Sequence, residues 1–171
     1  IYKIYDAGIT VGCTQNPLQY CPTREVTRAQ MAILIGRGIH GSDFIPPPET
    51  GIFGDVPVGA WGADWIEQFY NDGITVGCTK DPLMYCPMKF VNRAQMAIFL
   101  LRAKHGSGYQ PPAATGIFAD VPVTFWAARW IEQLYREGIT TGCTKDPLSF
   151  CPERVVNRAQ MAVFLMRTFD L

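Results

Sequence analysis

The sequence has 171 residues, 48% of them hydrophobic and 18% charged, and its 15 basic side chains balance 15 acidic ones. That is a globular composition with enough apolar mass for a core. The zero balance argues against a nucleic-acid binder, which needs a basic face to neutralise phosphates, and against attachment to an anionic membrane by charge alone. The longest apolar runs, around Met96 to Leu101 and Met161 to Met166, are far too short to cross a bilayer.

From the start of the chain, Gly8-Ile9-Thr10 is the first landmark, and it recurs as Gly73-Ile74-Thr75 and Gly138-Ile139-Thr140. Next come Cys13 and Cys21, matched by Cys78 with Cys86 and Cys143 with Cys151; the first cysteines of the pairs stand 65 residues apart (13 to 78, 78 to 143). The same offset relates Arg28-Ala29-Gln30-Met31-Ala32 to the segments at Arg93 and Arg158. A repeat at one fixed period dictates how the rest is read. Ile1 aligns with Ile66 and Ile131, inside a helical pattern, so the chain is expected to open within a repeat whose front half lies elsewhere. The cysteines admit two readings, local disulfides or metal-bound and free thiols. Close Cys-x-x-Cys hooks and regularly spaced histidines are both missing, which favours disulfides. Bridges over such small loops stabilise by roughly 2–3 kcal/mol each and imply an oxidising compartment and export.

Thr27 opens a helix, with Gln30 three positions on completing a capping box; Asn92 with Gln95 and Asn157 with Gln160 repeat it. Met96, Ile98, Phe99, Leu100 and Leu101 leave little polar face, so this helix is expected to be buried by its neighbours. His40 and His105, each before a glycine, read as helix C-terminal residues. The Gly- and Pro-rich stretches 41–50 and 106–115 read as extended connectors between copies at 1–40, 51–105 and 116–171.

In the second copy Gly51-Ile52-Phe53-Gly54-Asp55-Val56-Pro57 precedes a helix predicted over Trp61 to Asp72. Trp65, Ile66, Phe69 and Tyr70 mark its apolar face, Glu67 and Gln68 its expected solvated stripe, and Gly73 its end. A short extended stretch, Ile74 to Gly77, leads into the Cys-bracketed loop, where Asp81-Pro82 and Asp146-Pro147 signal turns. The third copy repeats the pattern with Gly116 to Pro122, then Trp130, Ile131, Leu134, Tyr135 and Gly138; Glu132 takes the place of Glu67.

Arg28, Arg93 and Arg158 occupy the first helical position, where the helix dipole is positive and a cation costs about 0.3–1 kcal/mol unless an anion compensates. That anion is either internal, with Asp55 and Asp120 as candidates, or an external carboxylate or phosphate held by the guanidinium fork and the free amides of the helix start. An enzyme would need a catalytic constellation, and the sequence offers no Ser-His-Asp set, metal-ligand cluster or phosphate-cradling glycine loop. A non-enzymatic role follows, with no cofactor and no metal.

Phe-x-Asp-Val-Pro, a tryptophan, Ile-x-x-Leu/Phe-Tyr-x-x-Gly-Ile-Thr-x-Gly, Cys-Pro and Thr/Asn-Arg-Ala-Gln-Met-Ala, in that order and at one period, resemble the S-layer homology repeat over nearly the whole chain outside the connectors. The resemblance implies a mainly α fold: tandem helix–loop–helix units packed as a pseudo-threefold bundle. It also implies non-covalent anchoring of a secreted protein to the bacterial cell envelope, extracellular and at the cell surface. The partner would be an anionic cell-wall polysaccharide, often carrying pyruvyl ketals, or a peptidoglycan-linked polymer. The family's helix-starting motif maps onto Arg28, Arg93 and Arg158, its Asp-Val onto Asp55 and Asp120, and its tryptophan onto Trp61 and Trp126, which either stack on sugar or pack in the core. Gln30, Gln95 and Gln160 stand where the family more often has an acidic residue. The rival reading is a structural module that packs against other subunits of a surface layer, sheath or filament; exposed aromatics at Phe44, Tyr109 and Phe125 would favour it.

Overall fold

The computed structural model describes residues 1–171. In chain order the elements are helix α1 (Tyr2–Asp6), strands β1 (Thr14–Gln15) and β2 (Leu18–Gln19), helices α2 (Arg28–His40) and α3 (Ala63–Asn71), strands β3 (Thr79–Lys80) and β4 (Leu83–Met84), helices α4 (Arg93–His105) and α5 (Ala128–Arg136), strands β5 (Thr144–Lys145) and β6 (Leu148–Ser149), and helix α6 (Arg158–Thr168). Helix accounts for 35% of the residues, and strands together with isolated bridge residues for 11%. The expected mainly α bundle is therefore corrected: each copy contributes two helices and a small antiparallel sheet.

The extra strands come from the Cys-bracketed loop. In the second copy Thr79 pairs with Met84 and Lys80 with Leu83 across the cis Asp81-Pro82 bond, and the Thr79 hydroxyl donates to the Pro82 carbonyl at 2.6 Å. The first and third copies repeat the hairpin. Disulfides Cys13–Cys21, Cys78–Cys86 and Cys143–Cys151 close the three hairpins, which decides between the two readings of the cysteines. Reducing all three is expected to lower stability by about 2–3 kcal/mol per bridge. Denaturant melts with and without a thiol reductant check this; coincident curves would show that the hairpins do not need the bridges.

Helices α2, α4 and α6 begin with the expected capping boxes, formed by Thr27, Asn92 and Asn157 with Gln30, Gln95 and Gln160. Their apolar surface sits in one core cluster that runs through all three copies. Helix α3 packs on α2, α5 on α4 and α1 on α6, so each first helix lies against the second helix of another copy. The α2–α3 contact is close: a Cβ on Gly36 would lie 2.6 Å from the Trp65 ring, which leaves room for glycine alone.

Just before these helices the copies join in a ring. The Val26 N–H donates to the Val156 carbonyl (2.9 Å), Val91 to Val26 (3.1 Å) and Val156 to Val91 (2.9 Å), and all three valines are fully buried. A second ring surrounds it, with the amides of Arg28, Arg93 and Arg158 donating to the carbonyls of Lys89, Arg154 and Arg24. The connectors are tied to this frame. His40 stacks on Phe44 and bonds Asp72 at 2.8 Å, and His105 stacks on Tyr109 and bonds Glu137 at 2.8 Å.

Candidate functional site

The three helix-starting arginines lie at the seams between copies and are buried, at 4%, 4% and 7% exposure for Arg28, Arg93 and Arg158. Each Nε donates at 2.7 Å to a carbonyl of another copy: Arg28 to Tyr85, Arg93 to Phe150 and Arg158 to Tyr20. Each guanidinium also sits over the ring of that same residue, 4.5–4.7 Å from its centroid. No carboxylate lies within salt-bridge distance of any of them. The outer nitrogens are poorly satisfied. Arg93 and Arg158 reach Thr140 and Thr10 at 3.5 Å, and Nη2 of Arg28 is buried with no partner. Burial, together with the nearby Arg154 charge, pushes the Arg93 guanidinium down to about 10 against the pull of Asp120, so it remains a cation at neutral pH. Burial lowers Arg28 and Arg158 as well.

Asp55 and Asp120 serve the hairpins. The Asp55 carboxylate accepts from the amides of Tyr85 and Cys86, both at 2.7 Å; Asp120 does the same with Phe150 (2.7 Å) and Cys151 (2.6 Å). Cys86 and Cys151 hold φ of 58° and 57°, so two successive N–H groups converge on one carboxylate. Cys78 and Cys86 also lie close to Asp55, but sulfurs joined in a disulfide offer no thiolate to a metal.

The stripe expected to be solvated is not. Glu67 and Glu132 are 5% and 1% exposed. Glu67 accepts from the amides of Thr50, Gly51 and Ile52 and the Thr50 hydroxyl, at 2.6–3.1 Å. Glu132 does so with Thr115, Gly116 and Ile117, and adds an ion pair with Arg136 at 2.9 Å. These carboxylates clamp the end of each connector onto the helix that follows it.

What remains open is a groove of about 490 Å³ lined mainly by the first copy, with Trp61, Gly62, Asp64 and Trp65 of the second copy and Arg158 of the third. Thr10 and Arg158 form its inner wall, Arg37 of α2 and Arg24 supply positive charge, and Trp61 and Asp64, at the start of α3, lie along the rim. Trp61 is 68% exposed, and Trp126, its counterpart 65 residues on, is 57% exposed, so neither packs in the core. Arg37 differs from its equivalents. Arg102 and Arg167 donate to the carbonyls of Ile74 and Ile139 at 3.0 and 3.1 Å, whereas the Arg37 side chain makes no hydrogen bond or ion pair within the chain and lies over the Trp65 ring at 5.8 Å. A smaller groove of about 200 Å³ with Arg93, Thr140, Gln160 and Arg167 occupies the equivalent place between the second and third copies and has no tryptophan. The sequence carried the signal for Arg37, since an arginine recurs there in all three copies. Of the aromatics that would favour protein assembly, Phe44, Tyr109 and Phe125 are all half-buried, so they do not form an exposed patch.

No family model matches the chain. It is 30% identical over 122 residues to an S-layer protein of Bacillus licheniformis, covering 70% of this chain and 13% of that protein. It is 29% identical over 118 residues to an endoglucanase of a Bacillus species, covering 69% and 12%. An amylopullulanase of Thermoanaerobacterium thermosulfurigenes is 29% identical over 150 residues, covering 86% and 8%. The chain thus spans a small fraction of the length of these relatives. A stretch common to a protein named for the S-layer and to enzymes of different names is not what distinguishes their activities.

Proposed function

We propose that this chain is an S-layer homology unit without catalytic activity, and that it anchors the protein bearing it to the bacterial cell envelope by binding an anionic cell-wall polysaccharide in the groove between copies. It is extracellular and works at the cell surface; its three disulfides are bonds that persist in oxidising surroundings. The observation that carries the reading is Arg37, a guanidinium with no hydrogen bond or ion pair to the rest of the chain, held in a groove beside an exposed tryptophan. A planar donor fork beside an aromatic face suits a sugar ring bearing a carboxylate: the fork takes the acid and the indole takes the apolar face of the ring. The buried Arg158 adds positive potential from behind without being consumed by an internal ion pair. Domain boundaries at 1–40, 51–105 and 116–171, with connectors between them, fit the same proposal.

The test is retention on purified cell-wall polymer. Arg37→Ala and Trp61→Ala should each weaken binding about tenfold or more, the effect of one lost charge-assisted contact of roughly 1.4 kcal/mol or above, with little change in melting temperature. Unchanged retention in both folded variants would remove the groove from the proposal. If the parent chain itself is not retained, anchoring gives way to assembly with other surface subunits.

A further inference from the structure

The groove that holds Arg37 carries both signs of charge. Asp64 lines it as well, and Trp61 stands at the rim three residues before that carboxylate. Arg37 and Asp64 do not neutralise each other, since neither makes an ion pair within the chain. Asp64 is half-buried. Its Oδ1 accepts from the Trp65 N–H at 2.8 Å, and its Oδ2 makes no hydrogen bond within the chain.

Helix α3 does not by itself demand this acid. A carboxylate in the first turn suits the helix dipole, yet the equivalent place in α5 is Arg129, and that helix forms with no acid in its first turn. Between Trp61 and α3, Gly62 holds a φ of 74°, a turn glycine adopts freely, and the residues on both sides of it line the groove. Glu25 lines the groove too, but it is exposed and adjoins Arg24 in the chain.

A ligand with a carboxylate alone satisfies Arg37 and leaves Asp64 repelling it or losing water without a partner. An ammonium on the same ligand removes both penalties, because it gives Oδ2 a charge-assisted bond. We propose that the groove selects a sugar unit bearing a free ammonium as well as a carboxylate, with Arg37 taking the acid and Asp64 reading the ammonium. The inference rests on the reading of this groove as a sugar site and narrows it to an amino sugar without its N-acetyl group. A polymer that is anionic overall needs such a unit at only some of its positions.

The probe is muramic acid, which has a carboxylate and a free amine on one ring. N-acetylmuramic acid lacks the charge on nitrogen, glucosamine lacks the acid, and β-alanine has both charges without a ring. Each is titrated into the 171-residue chain at mildly acidic pH, where the amines are charged, and followed by the Trp61 indole signal in NMR. Muramic acid should bind about fivefold or more tightly than the other three. Asp64→Asn keeps an oxygen for the Trp65 amide, so it should melt like the parent and erase the preference for muramic over N-acetylmuramic acid. Glu25→Gln should retain that preference. Equal binding of muramic and N-acetylmuramic acid overturns the proposal, as does a preference that survives Asp64→Asn or disappears in Glu25→Gln. So does a failure of muramic acid to bind, or β-alanine binding as tightly, because no ring would then be read. In each of these cases, retention of the parent on cell-wall polymer that is lost in Arg37→Ala would leave the anchoring proposal standing.

Discussion

Glu132→Ala is expected to lower stability by about 3–5 kcal/mol and the melting temperature by roughly 10–15 °C. The substitution removes one almost fully buried carboxylate and strands the amides of Thr115, Gly116 and Ile117, the Thr115 hydroxyl and the Arg136 guanidinium together. An orphaned buried donor costs about 1–3 kcal/mol, and water entering at the connector recovers part of the sum. The same groups make the fold acid-sensitive. Burial pushes the carboxyls of Glu67 and Glu132 up, but the bonds from Thr50, Ile52 and Gly51, and from Thr115, Ile117 and Gly116, outweigh it and leave both below the ordinary value of 4.5. A carboxyl held lower in the folded state contributes stability above its unfolded pKa and loses it as the pH falls through the folded value. Stability should therefore drop as the pH falls below about 4.5, and a Glu67→Gln, Glu132→Gln chain should show a shallower drop from a lower starting point. Parallel acid profiles for the two proteins would refute this role.

Arg93→Ala should cost about 2–4 kcal/mol, and Arg93→Met roughly half as much. Alanine leaves a cavity between the Phe150 and Phe164 rings and removes both the cation–π contacts and the donor to the Phe150 carbonyl. Methionine refills the space, and it also relieves a buried cation that no carboxylate neutralises, a group whose replacement by apolar volume is often tolerated. Denaturant titration of the pair separates packing from charge; a methionine variant less stable than the alanine one would contradict the assignment. The outcome bears on function too. Loss of polymer binding in an alanine variant of Arg28, Arg93 or Arg158 would report a loosened seam, and for that reason the binding test uses Arg37 and Trp61.

Local devices were legible in the sequence and long-range ones were not. The capping boxes at Thr27, Asn92 and Asn157 need residues three apart, and the disulfides need residues eight apart; both formed as read. The hairpins were missed because two-residue strands such as Thr79–Lys80 are too short for an alternating pattern to show. Glu67 and Glu132 looked solvated because helical periodicity sees only their own helix, and their partners are loop amides 15 to 17 residues upstream. Asp55 and Asp120 are candidate partners for the arginines on the sequence alone, one of two alternatives, yet their acceptor sites are filled by amides 30 and 31 residues onward that only the folded hairpin brings together. Arg28, Arg93 and Arg158 stand out in the sequence because a cation at a helix start calls for a compensating anion. What no sequence pattern disclosed is that aromatic rings and carbonyls from another copy would surround them.

The closed circuit of Val26, Val91 and Val156 has a bearing on stoichiometry. A linear array can gain or lose a unit at either end, but here each valine amide already serves the next and the last serves the first. A fourth unit has nowhere to insert, and deleting one breaks two links at once. Longer tandem arrays of this kind should therefore grow by whole triplets, each melting as a single cooperative body.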